Sequence, residues 1–167
     1  MGNKGLILSD AQVRQKIKRI AYEIYENNSH EKEIIVAGIH EQGYELAKLI
    51  CGQLENITPA KVRLIGVTLD KFAPTQSDIV LDCDESELKN KCVVLVDDVM
   101  NTGRTMAYSL KPFLNVKVKK IETAVLVNRS HTQFPISTQY AGYQLSTTLS
   151  EHVEVKLEND TKEVYLQ

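Results

Sequence analysis

The chain has 167 residues, of which 43% are hydrophobic and 25% are charged. This composition is typical of a globular protein and excludes wholesale disorder. The formal net charge is −2, from 20 Lys and Arg against 22 Asp and Glu. The protein therefore has no overall positive field to hold nucleic acid, and any such site requires a local basic patch.

The cysteines and the apolar runs bear on the cellular compartment. Cys51, Cys83 and Cys92 form no CxxC pair, which argues against a zinc site or a disulfide framework and favours the reducing cytoplasm. No apolar run approaches the roughly 20 residues that cross a bilayer. The length fits one domain, and we predict a single domain over residues 1–167.

The first part of the chain alternates helix and strand patterns. Ser9-Asp10 has the character of a helix N-cap, and apolar residues recur after it every three or four positions to about Asn27. The continuous apolar run at 33–38 ends in glycine and predicts a buried strand. The patterns at 44–54 and 62–69 predict a second helix and a second strand.

Residues 70–90 form a long polar stretch, which we interpret as a lid over a binding site. Within it, residues 79–81 are apolar enough to return as a short strand. The most apolar strand follows at 92–96, and a helix from about 103 to 114 and a buried strand at 121–127 come next. The chain then turns to three short alternating segments, at 140–145, 152–157 and 164–166. This order predicts an α/β fold with a mostly parallel sheet.

The chemistry is concentrated in residues 93–105. An apolar strand there ends in Asp97 and Asp98, and Thr-Gly-Arg-Thr at 102–105 opens a helix. A helix N-terminus with a glycine and hydroxyl groups makes a phosphate cradle, and two carboxylates beside it suit sugar hydroxyls or magnesium. The segment therefore predicts a site for a ribose 5-phosphate. In receiver domains an acidic pair also follows a strand, but it is the first strand, and the phosphate loop would be unexplained.

This segment resembles the phosphoribosyl-diphosphate motif of type I phosphoribosyltransferases, in which four apolar residues and two acids are followed, after three positions, by Thr-Gly-x-Thr. The similarity to the uracil phosphoribosyltransferase and pyrimidine-operon attenuation regulator family covers about residues 17 to 158. It rests on Gly38-Ile39, residues 43–47, Val67-Thr68-Leu69, residues 124–131 and Phe134-Pro135-Ile136. It implies the type I phosphoribosyltransferase fold, a mostly parallel central sheet flanked by helices, with a small hood from about 128 to 150.

The resemblance also implies roles for individual residues. Asp97 and Asp98 accept hydrogen bonds from the ribose hydroxyls, directly or through Mg²⁺, and Lys71 joins them as a catalytic residue. The 5-phosphate is held by Asn101, Thr102, Gly103, Arg104 and Thr105. The diphosphate contacts the turn formed by Ile39, His40, Glu41, Gln42 and Gly43. The nucleobase lies against Val99, Asn128, Arg129, Thr148 and Leu149, with the hood extending near 147–150.

Departures from the family pattern concern the leaving group. The relatives carry a basic residue before the glycine of the diphosphate turn, where this chain has Gln42. Their lid begins Thr-Leu-Tyr-Arg, where this chain has Thr-Leu-Asp70-Lys71. Since one cation is lost and Lys71 replaces another, we predict slow turnover with ribose-phosphate binding retained. Asn101 stands where a purine-salvage subfamily usually has a basic Asp, and because Asn cannot take a proton it disfavours an oxopurine substrate.

We therefore predict a phosphoribosyltransferase that uses 5-phosphoribosyl 1-diphosphate and Mg²⁺, with uracil as the base and UMP as the product. Two alternatives stay open. One is a nucleotide-sensing, RNA-binding regulator of pyrimidine genes with weak or no catalysis, and the other is a hypoxanthine or guanine transferase. A homodimer is an expectation from the family.

Two further expectations concern geometry. Adjacent strand residues point to opposite faces, so Asp97 and Asp98 share one ligand only if the chain leaves strand geometry there, and we predict that it does. For Arg104 the alternative role is that of a solvated first-turn residue, and for Arg129 it is pairing with a core acid.

Overall fold

The computed structural model describes residues 4–167, and within them the chain forms a six-stranded sheet and a separate three-stranded sheet. The strands are β1 (Gly5–Leu8), β2 (Glu33–Ile39), β3 (Lys61–Thr68), β4 (Val80–Leu81), β5 (Cys92–Met100), β6 (Lys120–Asn128), β7 (Tyr140–Gln144), β8 (Val153–Lys156) and β9 (Glu163–Leu166). The helices are α1 (Asp10–Asn27), α2 (Gln42–Glu55), α3 (Arg104–Ser109) and α4 (Lys111–Leu114), with a 3-10 turn at Glu85–Leu88.

The six-stranded sheet has the order β4-β3-β2-β5-β6-β7. Its neighbouring strands run parallel except for β4, which pairs antiparallel with β3. The predicted mostly parallel sheet flanked by helices is therefore confirmed. Because β2 and β5 are adjacent in the middle of the sheet, the turns that follow them meet at its carboxyl edge, where ligands bind in such sheets.

The first helix shows how the local sequence specifies the fold. The Ser9 hydroxyl accepts a hydrogen bond from the Gln12 amide, and the Ser9 amide donates to the Gln12 side chain at 2.9 Å. This capping box satisfies two amides that the helix itself leaves unpaired. The buried stripe of α1 consists of Val13, Ile17, Ile20, Ala21 and Ile24. In residues 4–167 no helix combines the length and the apolar character needed to cross a membrane.

The main sheet separates two hydrophobic cores. Val94 and Val96 of β5 belong to the first core, which α1 and α2 cover. Val93 and Leu95 belong to the second core, which α3 and α4 cover together with Leu88 of the 3-10 turn. The strand that carries the acidic pair is thus buried on both faces, as its continuous apolar sequence predicted.

The chain was predicted to leave strand geometry at the acidic pair. Strand β5 continues through the pair to Met100, but regular geometry is interrupted, because the register with β6 passes from Asp97 to Val99 without a partner for Asp98. The alternation of side chains also changes phase there. Before the acids, the even-numbered residues of β5 face the first core, whereas beyond them Val99 packs on that core and Met100 lies in the second. The change falls at Asp97 and Asp98, so strict alternation does not govern where these two side chains point.

The small sheet is built from the two ends of the described chain. Its order is β1-β9-β8, with antiparallel pairing throughout. The segment at residues 128–150, where the hood is expected, includes β7 at the edge of the main sheet. Leu8, Val153, Val155 and Val164 of the small sheet join the first core, so the two sheets share one packed interior.

The stretch predicted to be a lid leaves the end of β3 and returns along the same edge. Thr68 of β3 pairs with Val80, so β4 forms where residues 79–81 predicted a short strand. Leu88 then anchors the 3-10 turn in the second core. Between these fixed points, residues 70–79 contain no helix or strand.

Candidate active site at the carboxyl ends of the strands

The strand, loop and helix of the predicted phosphate cradle lie at the carboxyl edge of the main sheet. β5 ends at Met100, a three-residue loop follows, and α3 begins at Arg104. These elements surround a pocket of about 70 Å³. Its lining consists of Asp97, Val99, Met100, Asn101, Thr102, Gly103, Arg104, Thr105 and Met106. The residues predicted to hold a 5-phosphate therefore line one pocket with a predicted diol acceptor.

Gly103, the residue before α3, has a backbone conformation that favours glycine. Its φ is 86° and its ψ is 0°, in the left-handed region. A Cβ at this position would also lie 2.6 Å from Cγ2 of Ile136. The loop therefore requires glycine both for its backbone and for the space behind it.

The same loop is held from behind by the segment that follows β6. The Thr102 carbonyl accepts hydrogen bonds from the amides of Gln133 at 2.9 Å and Phe134 at 3.2 Å, and the Thr102 hydroxyl accepts from the Arg104 amide at 3.2 Å. Sequence analysis assigned no role to Gln133 or Phe134. Backbone contacts between distant segments require no particular side chain, so they leave no motif to find.

Asp97 is a buried carboxylate, with 4% of the residue exposed. Its Oδ1 atom accepts a hydrogen bond from the Asp98 amide at 2.9 Å and lies 3.3 Å from the Lys71 ammonium group. Burial raises the pKa of Asp97 well above its ordinary value, the charge of Asp98 raises it further, and Lys71 lowers it. Two close carboxylates with one cation favour a ligand that brings hydroxyl donors or positive charge.

These two acids fit a magnesium ion that takes its remaining ligands from a substrate. In residues 4–167, no group of three or more His, Cys, Asp or Glu side chains is placed to hold a metal. Mg²⁺ at phosphate sites is commonly bound through one or two carboxylates together with substrate oxygens and water. Asp97 and Asp98 supply that number of carboxylates.

The turn between β2 and α2 approaches the acidic pair from the neighbouring strand. A Cβ on Gly43 would lie 2.9 Å from Oδ1 of Asp97 and 2.9 Å from the carbonyl oxygen of Val96. Only a residue without a side chain permits this approach of α2 to β5. The predicted diphosphate turn therefore adjoins the predicted diol acceptors.

Two side chains of this turn are directed elsewhere. The His40 ring stacks on Tyr44 at 4.3 Å between centroids and lies over Gly66 of β3, on the opposite side of β2 from β5. The neutral Gln42 side chain donates a hydrogen bond to the Glu158 carboxylate at 2.9 Å. The side chains of His40 and Gln42 are thus occupied by contacts with the protein, and Gly43 is the residue of the turn that approaches Asp97.

A model of the phosphoribosyl transferase domain family matches residues 6–160. The chain belongs to the phosphoribosyl transferase family. The bifunctional protein PyrR of Macrococcus caseolyticus is 34% identical over 173 residues, which cover 99% of each chain. The bifunctional protein PyrR of Bacillus subtilis is 34% identical over 178 residues, which cover 99% of this chain and 98% of the relative. The family resemblance seen in the sequence is confirmed.

Solved structures confirm the fold. The hypoxanthine phosphoribosyltransferase of Trypanosoma cruzi superposes with a TM-score of 0.76 at 16% identity, over 95% of this chain and 94% of that one. A hypoxanthine-guanine phosphoribosyltransferase of Bacillus anthracis gives 0.72 at 19% identity, over 89% and 86% of the two chains. At these identities the likeness establishes the type I phosphoribosyltransferase fold and leaves the nucleobase open.

In this phosphoribosyl transferase, Arg129 joins the two segments that were expected to form the hood. It is 6% exposed, and its guanidinium donates to the Thr147 hydroxyl at 3.0 Å, the Thr148 carbonyl at 3.3 Å and the Glu151 carbonyl at 2.6 Å. These partners are a hydroxyl and two backbone carbonyls, so the alternative of pairing with a core acid does not describe its contacts within residues 4–167. Arg129 holds the shape of the loop at 147–151.

The other residues predicted to contact a nucleobase occupy different environments. Val99 lines the pocket. Asn128 on β6 pairs with Met100 on β5, and the side-chain oxygen of Asn128 accepts a hydrogen bond from the Ser130 amide at 3.1 Å. Leu149 is 88% exposed at the tip of the loop that Arg129 holds. Of the predicted nucleobase residues in the described chain, only Val99 reaches the pocket lining.

Proposed function

We propose that this phosphoribosyltransferase transfers ribose 5-phosphate from 5-phosphoribosyl 1-diphosphate to uracil, giving UMP and diphosphate. The observation that carries the proposal is the buried Asp97, which lines one pocket with the loop at 101–105 at the carboxyl edge of the sheet and has Asp98 next to it in the chain. The 34% identity to bifunctional PyrR proteins agrees with the resemblance to the uracil phosphoribosyltransferase and pyrimidine-operon attenuation regulator family, and supports a pyrimidine base.

In the proposed complex the 5-phosphate lies against residues 101–105. Backbone amides at the start of α3, the hydroxyls of Thr102 and Thr105, and the positive end of the helix all favour an anion there. Asp97 and Asp98 accept hydrogen bonds from the ribose hydroxyls. Asp97 and the loop at 101–105 line the same pocket, as binding of one sugar with a phosphate on its 5-carbon requires.

Mg²⁺ is part of the proposal, and Asp97 and Asp98 are the residues that would hold it. When bound, it would neutralise charge on the diphosphate that leaves. The chain's own contribution to the leaving group comes from the backbone of residues 39–43 and from Lys71. Because Gln42 is neutral where the relatives carry a basic residue, and Lys71 stands where they carry Arg, we expect slower turnover than in those relatives.

During transfer, the bond from the anomeric carbon to diphosphate breaks and a bond to a base nitrogen forms, with loss of the proton on that nitrogen. Positive charge develops on the sugar ring, so water must be excluded while the reaction proceeds. Residues 70–79 form the proposed lid for this purpose, because they carry no regular structure and begin beside Asp97. The base would lie near Val99, under the loop that Arg129 holds.

Two alternatives are kept for stated reasons. The PyrR relatives are named bifunctional proteins, which favours a second activity, and we propose RNA binding as its form. RNA binding would show a linear fall of log affinity with log salt concentration. A hypoxanthine or guanine transferase shares the fold, but Asn101 gives it no basic carboxylate toward a purine ring. A homodimer and a cytoplasmic location are also proposed, the latter because all three cysteines are free.

The test is a spectroscopic screen of uracil, hypoxanthine, guanine, adenine and orotate with the sugar diphosphate and Mg²⁺. We expect uracil to be consumed, slowly, and the Asp97→Asn variant to lose the activity while it keeps its fold, because Asn retains the oxygen that accepts the Asp98 amide. Consumption of a purine in place of uracil would overturn the choice of base. Rapid UMP formation would contradict the expectation of slow turnover drawn from Gln42 and Lys71.

A further inference from the structure

The first residues of the lid lie across the acidic pocket and are fastened at two points. The Lys71 ammonium group lies 3.3 Å from Oδ1 of the buried Asp97. On the other side, the Arg104 guanidinium donates to the carbonyl of Phe72 at 3.5 Å. Both partners belong to the pocket lining, so one short segment bridges its acidic end and its phosphate end. We call residues 70–73 the strap.

A local turn shapes the strap and directs Lys71 inward. The Asp70 carboxylate accepts hydrogen bonds from the amides of Phe72 at 2.9 Å and Ala73 at 3.1 Å, which bends the chain directly after Lys71. The Phe72 side chain is 95% exposed, so it adds no apolar anchor. The strap is held by polar contacts that are partly exposed to water. Each such contact is weak enough for a ligand to replace it.

The charges explain why Lys71 sits where it does. Residues 70–88 contain one cation, Lys71, and six acids. Asp97 and Asp98 place two carboxylates together, one of them buried, and Lys71 is the cation in hydrogen-bonding contact with that buried carboxylate. The ammonium group therefore offsets part of the charge of the acidic pair, and it does so at the Asp97 oxygen that a sugar hydroxyl or a metal ion would need.

We propose that the strap competes with the sugar phosphate for Asp97, so that Lys71 opposes binding before the substrate arrives and serves the departing diphosphate after it is displaced. This inference rests on the proposed function, because it takes the sugar phosphate bound in this pocket as the competitor of the strap. The Arg104 guanidinium makes a similar exchange, because it leaves the Phe72 carbonyl and binds the 5-phosphate. Release of the strap leaves the lid free to close over the bound sugar.

The proposal predicts opposite effects of one substitution on binding and on turnover. Lys71→Met keeps an unbranched apolar side chain that reaches as far as the lysine Cε, and it removes the ammonium charge. Ribose 5-phosphate has the sugar hydroxyls and the phosphate but no diphosphate, so calorimetry with it, with and without Mg²⁺, measures competition alone. We expect its dissociation constant to fall about three- to tenfold in Lys71→Met, because a larger fraction of the protein is free to bind. We expect the rate of sugar-diphosphate consumption to fall at least about tenfold, because the charge at the leaving group is lost.

The matched control is Lys89→Met, an exposed lysine outside the lid at 70–79, for which ribose 5-phosphate affinity should stay within about twofold of the wild type. Hydrogen exchange provides a second measurement: the amides of Phe72 and Ala73 should exchange faster in Lys71→Met than in the free wild type. If the wild type binds ribose 5-phosphate and Lys71→Met binds it with the same or lower affinity, the strap proposal alone is overturned. Failure of the wild type to bind ribose 5-phosphate would overturn the proposed function as well.

Discussion

The two ends of β5 and β6 treat buried carboxylates in different ways. Near the amino end of β6, Glu122 is 8% exposed and accepts hydrogen bonds from the Asn28 amide group and the Tyr140 hydroxyl, both at 2.7 Å. Toward the carboxyl end of β5, Asp97 is 4% exposed and is paired with one lysine at 3.3 Å, beside the like charge of Asp98. Both carboxylates accept hydrogen bonds from the folded chain, but the largest charge effect on Asp97 is the repulsion from Asp98.

This difference indicates which buried charge is structural and which is functional. Burial and the Glu122 carboxylate raise the pKa of Tyr140, so the hydroxyl keeps the proton that it donates. That network joins α1 to the edge strand β7. At Asp97 the folded chain leaves part of the negative charge unbalanced, so that a ligand can supply the balancing groups. This is the expected property of a binding site. Substitutions at the two ends should therefore affect stability and binding in opposite proportions.

The largest effect is expected from the double variant Asp97→Asn, Asp98→Asn. Removal of two charged acceptors, each worth about 1.5–3 kcal/mol, should weaken binding of the sugar diphosphate at least about 100-fold in calorimetry. The free energy of unfolding should equal or exceed that of the wild type, because a buried like-charge contact is removed. The exposed acid variant Asp160→Asn serves as the control. Unchanged affinity in the double variant would refute the assignment of the acidic pair.

The next effect is expected at the other end of the strands. Glu122→Ala leaves the buried donors of Asn28 and Tyr140 without their acceptor and should lower the free energy of unfolding by about 2–4 kcal/mol. Sugar-diphosphate affinity should remain within about twofold of the wild type at a temperature where the variant is folded. Glu23→Ala, which removes the exposed pair with Arg19, should cost at most about 1 kcal/mol. If Glu122→Ala weakened sugar-diphosphate binding by as much free energy as it lowered stability, the distinction between a structural Glu122 and a functional Asp97 would be refuted.

The smallest effect concerns pH. The pKa of Asp97 is raised in the folded protein, so between the unfolded value of about 4 and the folded value the native state holds a proton that the unfolded state has lost. The contribution of this carboxyl to stability therefore falls as pH rises through that window. Denaturation at several pH values should show the wild type losing stability relative to Asp97→Asn, by at most about 1.4 kcal/mol per pH unit.

Glu31 supplies a control of opposite sign for that pH series. Its hydrogen bond to Lys119 lowers the pKa of Glu31, so its contribution to stability is present above the ordinary carboxylate range and is lost as pH falls through the folded value. Glu31→Gln should therefore differ from the wild type least at low pH. The opposite sign would be refuted if the stability differences of Glu31→Gln and Asp97→Asn from the wild type changed with pH in the same direction. The two carboxylates would then share one electrostatic environment.

Much of the fold was accessible from local patterns, because helices and buried strands repeat their apolar residues at fixed intervals. The bounds predicted for α1 and β2 lie within a residue or two of the observed ones. β1 was missed, since four residues at Gly5–Leu8 carry no periodic signal and acquire their partner only when β9 pairs with them. The alternating segments at 152–157 and 164–166 do contain β8 and β9, but the small sheet also needs β1 from the other end of the described chain, and no local pattern predicted that pairing.

The site divides along the same line. The sequence by itself determined the acidic pair, the glycine loop and the family, because phosphate and diol chemistry requires particular residue types at fixed spacing along one strand and turn. Only the tertiary structure decided that β5 continues through the acids, that Gly43 brings α2 against Asp97, and that Lys71 reaches the same carboxylate. These facts depend on which distant backbones approach one another, and burial then determines which charges the fold satisfies and which it leaves for a ligand.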